Sequence, residues 1–534
     1  MTDEEKIYSD EYADIVTLTG DIPFYENEDI YTQFIDTGYA IVHIPRSLLN
    51  TINIYTQGFE PYILSPCQSY LSDAGIAQVL SQNTLGVDGS GVLIGIADTG
   101  INYALSEFIY PNGETRIAAC WDQEDRTGTP PEGRAYGSEI SRTEINRALE
   151  SNIPLALNDP TGHGTRLALT ALAAAPNAEL AIVKLKKAKP YLTEENKLED
   201  SAAYQSGDLM TGLDFIFKKA RELGRPVSVI IGMGTSQGAH NGLSLLERYI
   251  DTLAGRTGIC ISAAAGNEGL ARHHYGARPV EDRDTIEIAA ENSSGFTIWL
   301  WNDYLCRTSV GITTPLNEIV RPLQPVNMGY SKFDPPLGSG SISVLYHFPV
   351  AEKQLSVITV GRPVNGIWRL NLSFSRTGIC AVDAWLPTNR LLSGNVTFVT
   401  PATAETLTVP ATAPRLMTIG GYNGNTGGVY EFTGRGPNSQ GILKPDFTAP
   451  AVDVSGSSGT SLGAAVTAGA AALLMQWGIV DGNDPRMRTE IIKAYLIAGT
   501  EQPTQNLESG GEAFPNNLWG YGRINLYNTF RRIF

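Results

Sequence analysis

Asp98, His163 and Ser461 are the residues of this sequence whose types, order and settings can do chemistry together. Asp98 opens Asp98-Thr99-Gly100, directly after the apolar run 91–97 (GVLIGIA). His163 lies in Gly162-His163-Gly164-Thr165 and Ser461 in Gly459-Thr460-Ser461, each at the head of a helix-patterned stretch. A serine hydroxyl is a weak nucleophile until a neighbouring base takes its proton. A histidine does that near neutral pH, and a buried carboxylate fixes its tautomer and stabilises the imidazolium. Taken singly, each motif has a plain alternative. DTG also marks aspartic proteases, which need two copies where this chain has one; GHG reads as a turn before a helix; GTS is common in loops. Their joint occurrence, each at the edge of a strand or helix, points to nucleophilic catalysis. Residues 261–269 (ISAAAGNEG) add Asn267, a side-chain donor suited to the oxyanion of a tetrahedral intermediate. Its alternative is an asparagine in a turn.

The elements that must position these residues follow from the apolar patterning. Strands are expected at 91–97, 180–184, 227–231 and 259–263, with helical stretches at 163–174 and 209–223 between them. This alternation predicts an α/β fold with a doubly wound parallel sheet. Residues 1–68 read as a small α+β unit, with strands at 15–18, 40–44 and 62–64 and a short helix at 47–54. Over 281–405 the helical period gives way to short strands at 285–289, 296–301, 341–347, 355–360, 368–374 and 396–399. These predict an inserted β-sandwich or jelly roll. From 406 to 534 the α/β pattern resumes, with a helix of small residues at 461–477. The expected units are therefore 1–68, 69–280, 281–405 and 406–534.

The 534 residues hold 39 Lys and Arg against 56 Asp and Glu, a formal charge of −17, with no basic run. That balance argues against nucleic acid and against anionic membrane surfaces as partners. Five dispersed cysteines, with no CxxC pair, suggest neither a zinc site nor a disulfide framework and fit a reducing compartment. The other histidines, His43, His240, His273, His274 and His347, lack metal-ligand spacing and read as packing or surface residues. The acidic groups at 194–200 and 281–284 read as solvated loops before calcium sites, so no metal or other cofactor is expected. The first thirty residues carry ten acids and one base, Lys6, unlike a secretory leader. No apolar run reaches the ~18–20 residues that span a bilayer. The expectation is a soluble, cytoplasmic monomer without a signal peptide.

The order Asp98…His163…Ser461, together with Asn267, resembles the subtilisin-like serine proteases, the subtilases. The segments 432–449 (FTGRGPNSQGILKPDFTA) and 519–526 (WGYGRINL) resemble the stretches those enzymes carry before the nucleophile and at their close. Within the family, 127–137 (TGTPPEGRAYG), 266–276 (GNEGLARHHYG) and the β-rich insertion resemble the clostridial germination-specific Csp group. The resemblance implies a serine endopeptidase acting on a protein substrate, with Gly234, Thr235, Ser236, Ala264 and Gly266 lining the cleft. It also implies that residues 1–68 are a prodomain, cut near Gln68–Ser69 and retained in the cleft, and that the substrate is the zymogen of a spore-cortex hydrolase. Departures from the family pattern are Leu462-Gly463-Ala464-Ala465-Val466 after the nucleophile, where a proline normally replaces Ala465, and Gly234-Thr235-Ser236 in place of Ser-Leu-Gly. Two other readings stand beside this one: a catalytically silent scaffold in a germinant-signalling complex, and a general scavenging protease.

Overall fold

A computed structural model describes the chain except residues 22–28, 49–62, 67–73, 83, 200–202, 377–379, 453–456 and 504–512. The chain starts with a helix, Asp3–Tyr8, closed by a capping box between Thr2 and Glu5. Strands β1 (Tyr12–Leu18), β2 (Tyr31–Ile35) and β3 (Tyr39–Pro45) form an antiparallel sheet in the order β1-β3-β2. A short 3-10 turn at Arg46–Leu48 stands at the start of the expected helix 47–54, whose remainder lies outside the described residues. Strand β4 (Ile63–Pro66) leaves this sheet and pairs elsewhere.

The N-terminal sheet is seated on the main body through buried charge. Asp14 bonds His43 Nδ1 at 2.6 Å, Lys189 Nζ at 2.5 Å and Gln205 Nε2 at 2.9 Å, and Lys186 Nζ lies 3.6 Å away. Burial alone raises the Asp14 carboxyl. The ammonium groups of Lys189 and Lys186, with His43, outweigh burial and hold it well below the usual carboxylate range.

The main body is an eight-stranded sheet. Its strands are β5 (Leu93–Asp98), β6 (Ile117–Asp122), β7 (Ser138–Ser141), β8 (Glu179–Lys184), β10 (Val227–Ile231), β12 (Ile259–Ala264), Met417–Tyr422 and Phe447–Pro450. The two-residue strands β9 (Tyr204–Gln205) and β11 (Met233–Gly234) lie outside it. The order runs Phe447–Pro450, Met417–Tyr422, β12, β10, β5, β8, β6, β7, and only β7 is antiparallel to its neighbour. Every residue of β5, β8, β10 and β12 is buried, as two covered faces require. The chain builds one side of β5 first and then the other. The carboxyl end of β5 therefore opens on the crevice where such sheets place their sites.

Two helices pack beneath that crevice, His163–Ala174 and Thr460–Met475. The second is buried along its whole length and continues through Ala465 without a break. A Cβ on Gly469 would lie 2.4 Å from the Cβ of Ala174 and 2.8 Å from the Ala171 carbonyl, so only glycine allows the helices this close. Among the described residues one helix, Thr460–Val480, is long and apolar enough to cross a membrane, and 83% of its apolar window is buried inside the fold.

The inserted segment forms two antiparallel sheets of six and five strands around one core, which includes Ile288, Phe296, Ile358, Trp368 and Phe398. Burial alternates along Arg283–Glu291 and Gly366–Phe374, the pattern of strands with one covered face. Two expectations change here. The first strand of the six-stranded sheet is His274–Ala277, paired with Val382–Trp385, so this sheet begins before residue 281. Cys306 and Cys380 form a disulfide across 74 residues, their Cα atoms 5.7 Å apart. Sequence spacing cannot show such a pairing, because the meander of strands between them brings them together. The free cysteines Cys120 and Cys260 are buried.

An aromatic stack joins the insertion to the main body. The Trp385 ring stacks with two imidazoles, His240 at 4.0 Å and His274 at 4.6 Å, both nearly parallel to it. His240 Nε2 bonds the Ser236 carbonyl at 3.1 Å, just beyond β11. Desolvation is the main reason that His240 is held down to about 4; the neighbouring His274 adds to it, while the Ser236 and Leu407 carbonyls and Asp383 oppose it. A depressed folded-state value contributes stability above the unfolded value near 6.5 and loses it as pH falls toward 4. Urea melts of the wild type should therefore lose stability from this group by about 1.4 kcal/mol per pH unit across that window. The His240→Gln variant should show a shallower acid slope, and equal slopes would refute the assignment.

Candidate functional site

Asp98 ends β5, and the chain turns at once. Gly100 has φ +127, and a Cβ there would lie 2.0 Å from the Asn158 carbonyl oxygen. Gly164 faces it, with a Cβ position only 2.3 Å from the Gly100 carbonyl oxygen. The two glycines let the strand end and the start of helix His163–Ala174 meet backbone to backbone. That contact sets His163 Nδ1 2.6 Å from Asp98 Oδ1, which also accepts the Thr99 N–H at 2.8 Å. The far nitrogen, His163 Nε2, lies 3.1 Å from Ser461 Oγ. The side chains come from a strand end and two helix starts, and they are sealed off: Asp98 and His163 are 1% exposed and Ser461 is 0% exposed. A carboxylate on Nδ1 keeps Nε2 as the acceptor for a hydroxyl proton, the arrangement that activates serine.

Asn267 follows β12. Its Oδ1 accepts the Thr460 N–H at 3.0 Å and the Thr460 hydroxyl at 3.1 Å, so the amide is oriented by its acceptor end and Nδ2 is the donor end. Thr460 Oγ1 in turn accepts the Gly266 N–H at 3.1 Å. Residues 266–267 are thus fastened to the residue before Ser461, at the N-terminus of a sixteen-residue helix, where donor groups and positive potential favour a developing anion.

A strand of the N-terminal unit pairs with two short strands of the main body. β4 is the middle strand of a three-stranded antiparallel sheet, between β11 and β9. Pro66 pairs with Met233 and Ser65 with Gly234, while Ile63 pairs with Gln205 and Leu64 with Tyr204. The Ile63 N–H is also bonded to Gln237 Oε1 at 2.8 Å.

Of the cleft residues named from sequence, Gly234 pairs with β4. Thr235 instead exchanges both backbone bonds with Val409, at 2.9 and 2.8 Å, and the Ser236 carbonyl accepts from His240. Ala264 is buried within β12, opposite Ile419. Gly266 and Gly234 both back onto Thr408, whose Oγ1 lies 2.6 and 2.3 Å from where their Cβ atoms would be. Gln68 and Ser69 lie outside the described residues.

Three features escape a reading of motifs. β9 is two residues long, too short for any periodicity to show. Thr408, 141 residues after Asn267 in the sequence, backs onto Gly234 and Gly266. Asp159, four residues before His163, accepts hydrogen bonds from Thr99, Gly162 and Thr165. Its one visible signal is an acid within the same short loop as the histidine. Among the described residues no group of three or more His, Cys, Asp or Glu is arranged to hold a metal ion.

Comparison with known proteins agrees with this geometry. A family model described as the subtilase family matches residues 392–522. Among solved structures, the chain is similar to the CspB protease of Clostridium perfringens, at 29% identity over 86% of this chain and 97% of that one, with a TM-score of 0.72. More distant matches are a lanthipeptide protease and fervidolysin. The former has 13% identity over 86% of this chain and 94% of that one, TM-score 0.39. Fervidolysin, a keratinolytic enzyme from Fervidobacterium pennivorans related to subtilisin, has 11% identity over 98% and 61%, TM-score 0.46.

The backbone contact at Gly164 is testable on its own. Gly164→Ala places a methyl group against the Gly100 carbonyl and should cost about 1–3 kcal/mol, the usual range for overpacking a tight contact. Thermal unfolding of the variant beside the wild type reads this loss; an unchanged melting temperature would show that the loop yields freely.

Proposed function

This chain is a subtilase, a subtilisin-like serine endopeptidase, and from that premise we propose that Ser461 is its nucleophile, His163 its general base and then acid, and Asp98 the carboxylate that orients His163. The observation carrying this reading is the continuous path from Asp98 Oδ1 to His163 Nδ1 at 2.6 Å and from His163 Nε2 to Ser461 Oγ at 3.1 Å. Ser461 Oγ attacks the scissile carbonyl carbon as its proton passes to His163 Nε2. The oxyanion is held by Asn267 Nδ2 and the Ser461 backbone N–H. The imidazolium then gives its proton to the leaving amine, and an acyl-enzyme remains. A water, deprotonated by the same nitrogen, attacks the ester and frees the acid product.

Residues 1–68 act as a prodomain that the enzyme cuts from itself and keeps in its cleft. The pairing of β4 with both β9 and β11 supports this, because backbone pairing on two sides is how an extended peptide is held. β4 ends at Pro66, two residues before the proposed bond Gln68–Ser69. The two face-to-face sheets support reading the insertion as a jelly roll. Likeness to the CspB protease supports a selective processing role, the activation of a protein zymogen, with a spore-cortex hydrolase in germination as the family-based substrate.

Intact mass and denaturing gels of the wild type beside Ser461→Ala test this. The wild type should run as two pieces, the smaller being residues 1–68, while Ser461→Ala stays whole. Asn267→Ala should slow the cut by about 10²–10³. Processing in Ser461→Ala at the wild-type rate overturns the assignment.

A further inference from the structure

Asp159 stands apart from the groups that exchange protons, yet it accepts more hydrogen bonds than any other carboxylate near them. Its Oδ1 accepts the Thr99 hydroxyl at 2.6 Å and the Gly162 N–H at 2.9 Å. Its Oδ2 accepts the Thr165 N–H and the Thr165 hydroxyl, both at 2.8 Å. Both hydroxyls thus give their protons to the carboxylate, which leaves their lone pairs for backbone donors. Thr99 Oγ1 accepts the Gly164 N–H at 3.1 Å, and Thr165 Oγ1 accepts the Asn102 N–H at 2.9 Å. Each bond joins segment 98–102 to segment 162–165, and each runs through a hydroxyl oriented by Asp159.

We infer that Asp159 is a positioning residue of the active site: it locks the segment carrying Asp98 to the segment carrying His163, and so holds the imidazole in register for proton transfer. This rests on the assignment of Asp98, His163 and Ser461 proposed above. The Thr99 N–H donates to the same Asp98 oxygen that holds His163 Nδ1, so a shift of Thr99 moves both partners of that bond. An ionised carboxylate is an acceptor only, and five donors converge on this one, the Thr161 hydroxyl at 3.3 Å being the fifth. An amide in its place turns an NH₂ toward one set of them.

Charge adds to geometry. Burial raises the Asp159 carboxyl, but the donations from Thr99 and Thr165 outweigh it and keep the group below its ordinary value. It therefore stays ionised while His163 changes charge, and a negative charge nearby favours the imidazolium. The other charged groups around His163 are Asp98 at the end of β5, Arg166 on the same helix, bonded to the Thr161 carbonyl, and Lys184 on β8. Lys184 is already held by Asp122, Glu124 and Asn158. A plain helix cap is the competing account, since the cap residue Gly162 has no side chain to offer. A cap alone costs stability and leaves the His163 Nδ1 proton as well protected as before.

Proton NMR separates the two. The Nδ1 proton of His163, hydrogen-bonded to Asp98, is followed across pH and assigned by its loss in Asp98→Asn. Assignment matters because His43 and His273 also bond carboxylates through Nδ1. In Asp159→Asn and in Thr165→Val exchange of this proton with water should quicken about tenfold, the effect of ~1.4 kcal/mol less protection; Thr165→Ser should restore it. An Asp159→Asn protein with wild-type exchange overturns the inference, whatever its melting temperature. If that variant does not fold, the Thr165→Val and Thr165→Ser pair decides by exchange alone. A wild type with no Asp98-dependent proton would instead remove the Asp98–His163 reading itself.

Discussion

The site depends on how closely two helices approach. His163 heads one and Ser461 stands second in the other, so the distance between imidazole and hydroxyl is set by the packing of the helices along their length. Glycine and alanine dominate that contact, with Gly469 against Ala171 and Ala174. A larger residue there would spread the helices and separate Nε2 from Oγ, several turns away from either atom. Burial along the entire Thr460–Met475 helix follows from the same demand, since a helix apolar on all sides is stable only inside a core. The sheet supplies the third coordinate. Its central strand delivers Asp98 to the same point because its carboxyl end lies at the switch in strand order.

Around this framework the chain adds two bodies by different means. The N-terminal unit is joined through ionic groups removed from water, Asp14 with Lys189 and Lys186, and through the backbone pairing of β4. The insertion is joined through stacked rings, Trp385 with His240 and His274. Buried charges are costly unless each finds its partner, so the first joint specifies one seating geometry. Stacked rings tolerate sliding better, and here the contact passes through His240 to the carbonyl just beyond β11, which links the insertion to the wall of the cleft.

Much of this arrangement is legible in sequence wherever one stretch carries its own evidence. The apolar run before Asp98 announces a buried strand, and Gly162-His163-Gly164 announces a helix start. The strands of the insertion appear through alternation at nearly every expected place. What stays hidden needs two distant stretches to meet. Asp159 looks like an acid in a turn until Thr99, sixty residues earlier, and Thr165 converge on it. Cys306 and Cys380 look unpaired until the intervening strands fold. The strand His274–Ala277 has no alternation of its own, and its membership of the insertion is set by Val382–Trp385. Thr235 shows the converse: adjacent to a cleft residue in sequence, it turns its backbone toward Val409.

The seating of the N-terminal unit has a kinetic side. Residues 1–66 hold two bases against twelve acids, a formal −10 of the chain's −17. The remaining body is therefore also negative, at −7. In contact the two attract, because Arg126 meets Glu4, Arg221 and Arg256 meet Asp36, and Lys189 meets Asp14. Apart but within a Debye length, they present like net charges to each other, and their encounter is slowed while contact remains favourable. Were the proposed cut to free this unit, its return would be slow at low ionic strength, and added salt, by shortening the Debye length, would lower that barrier.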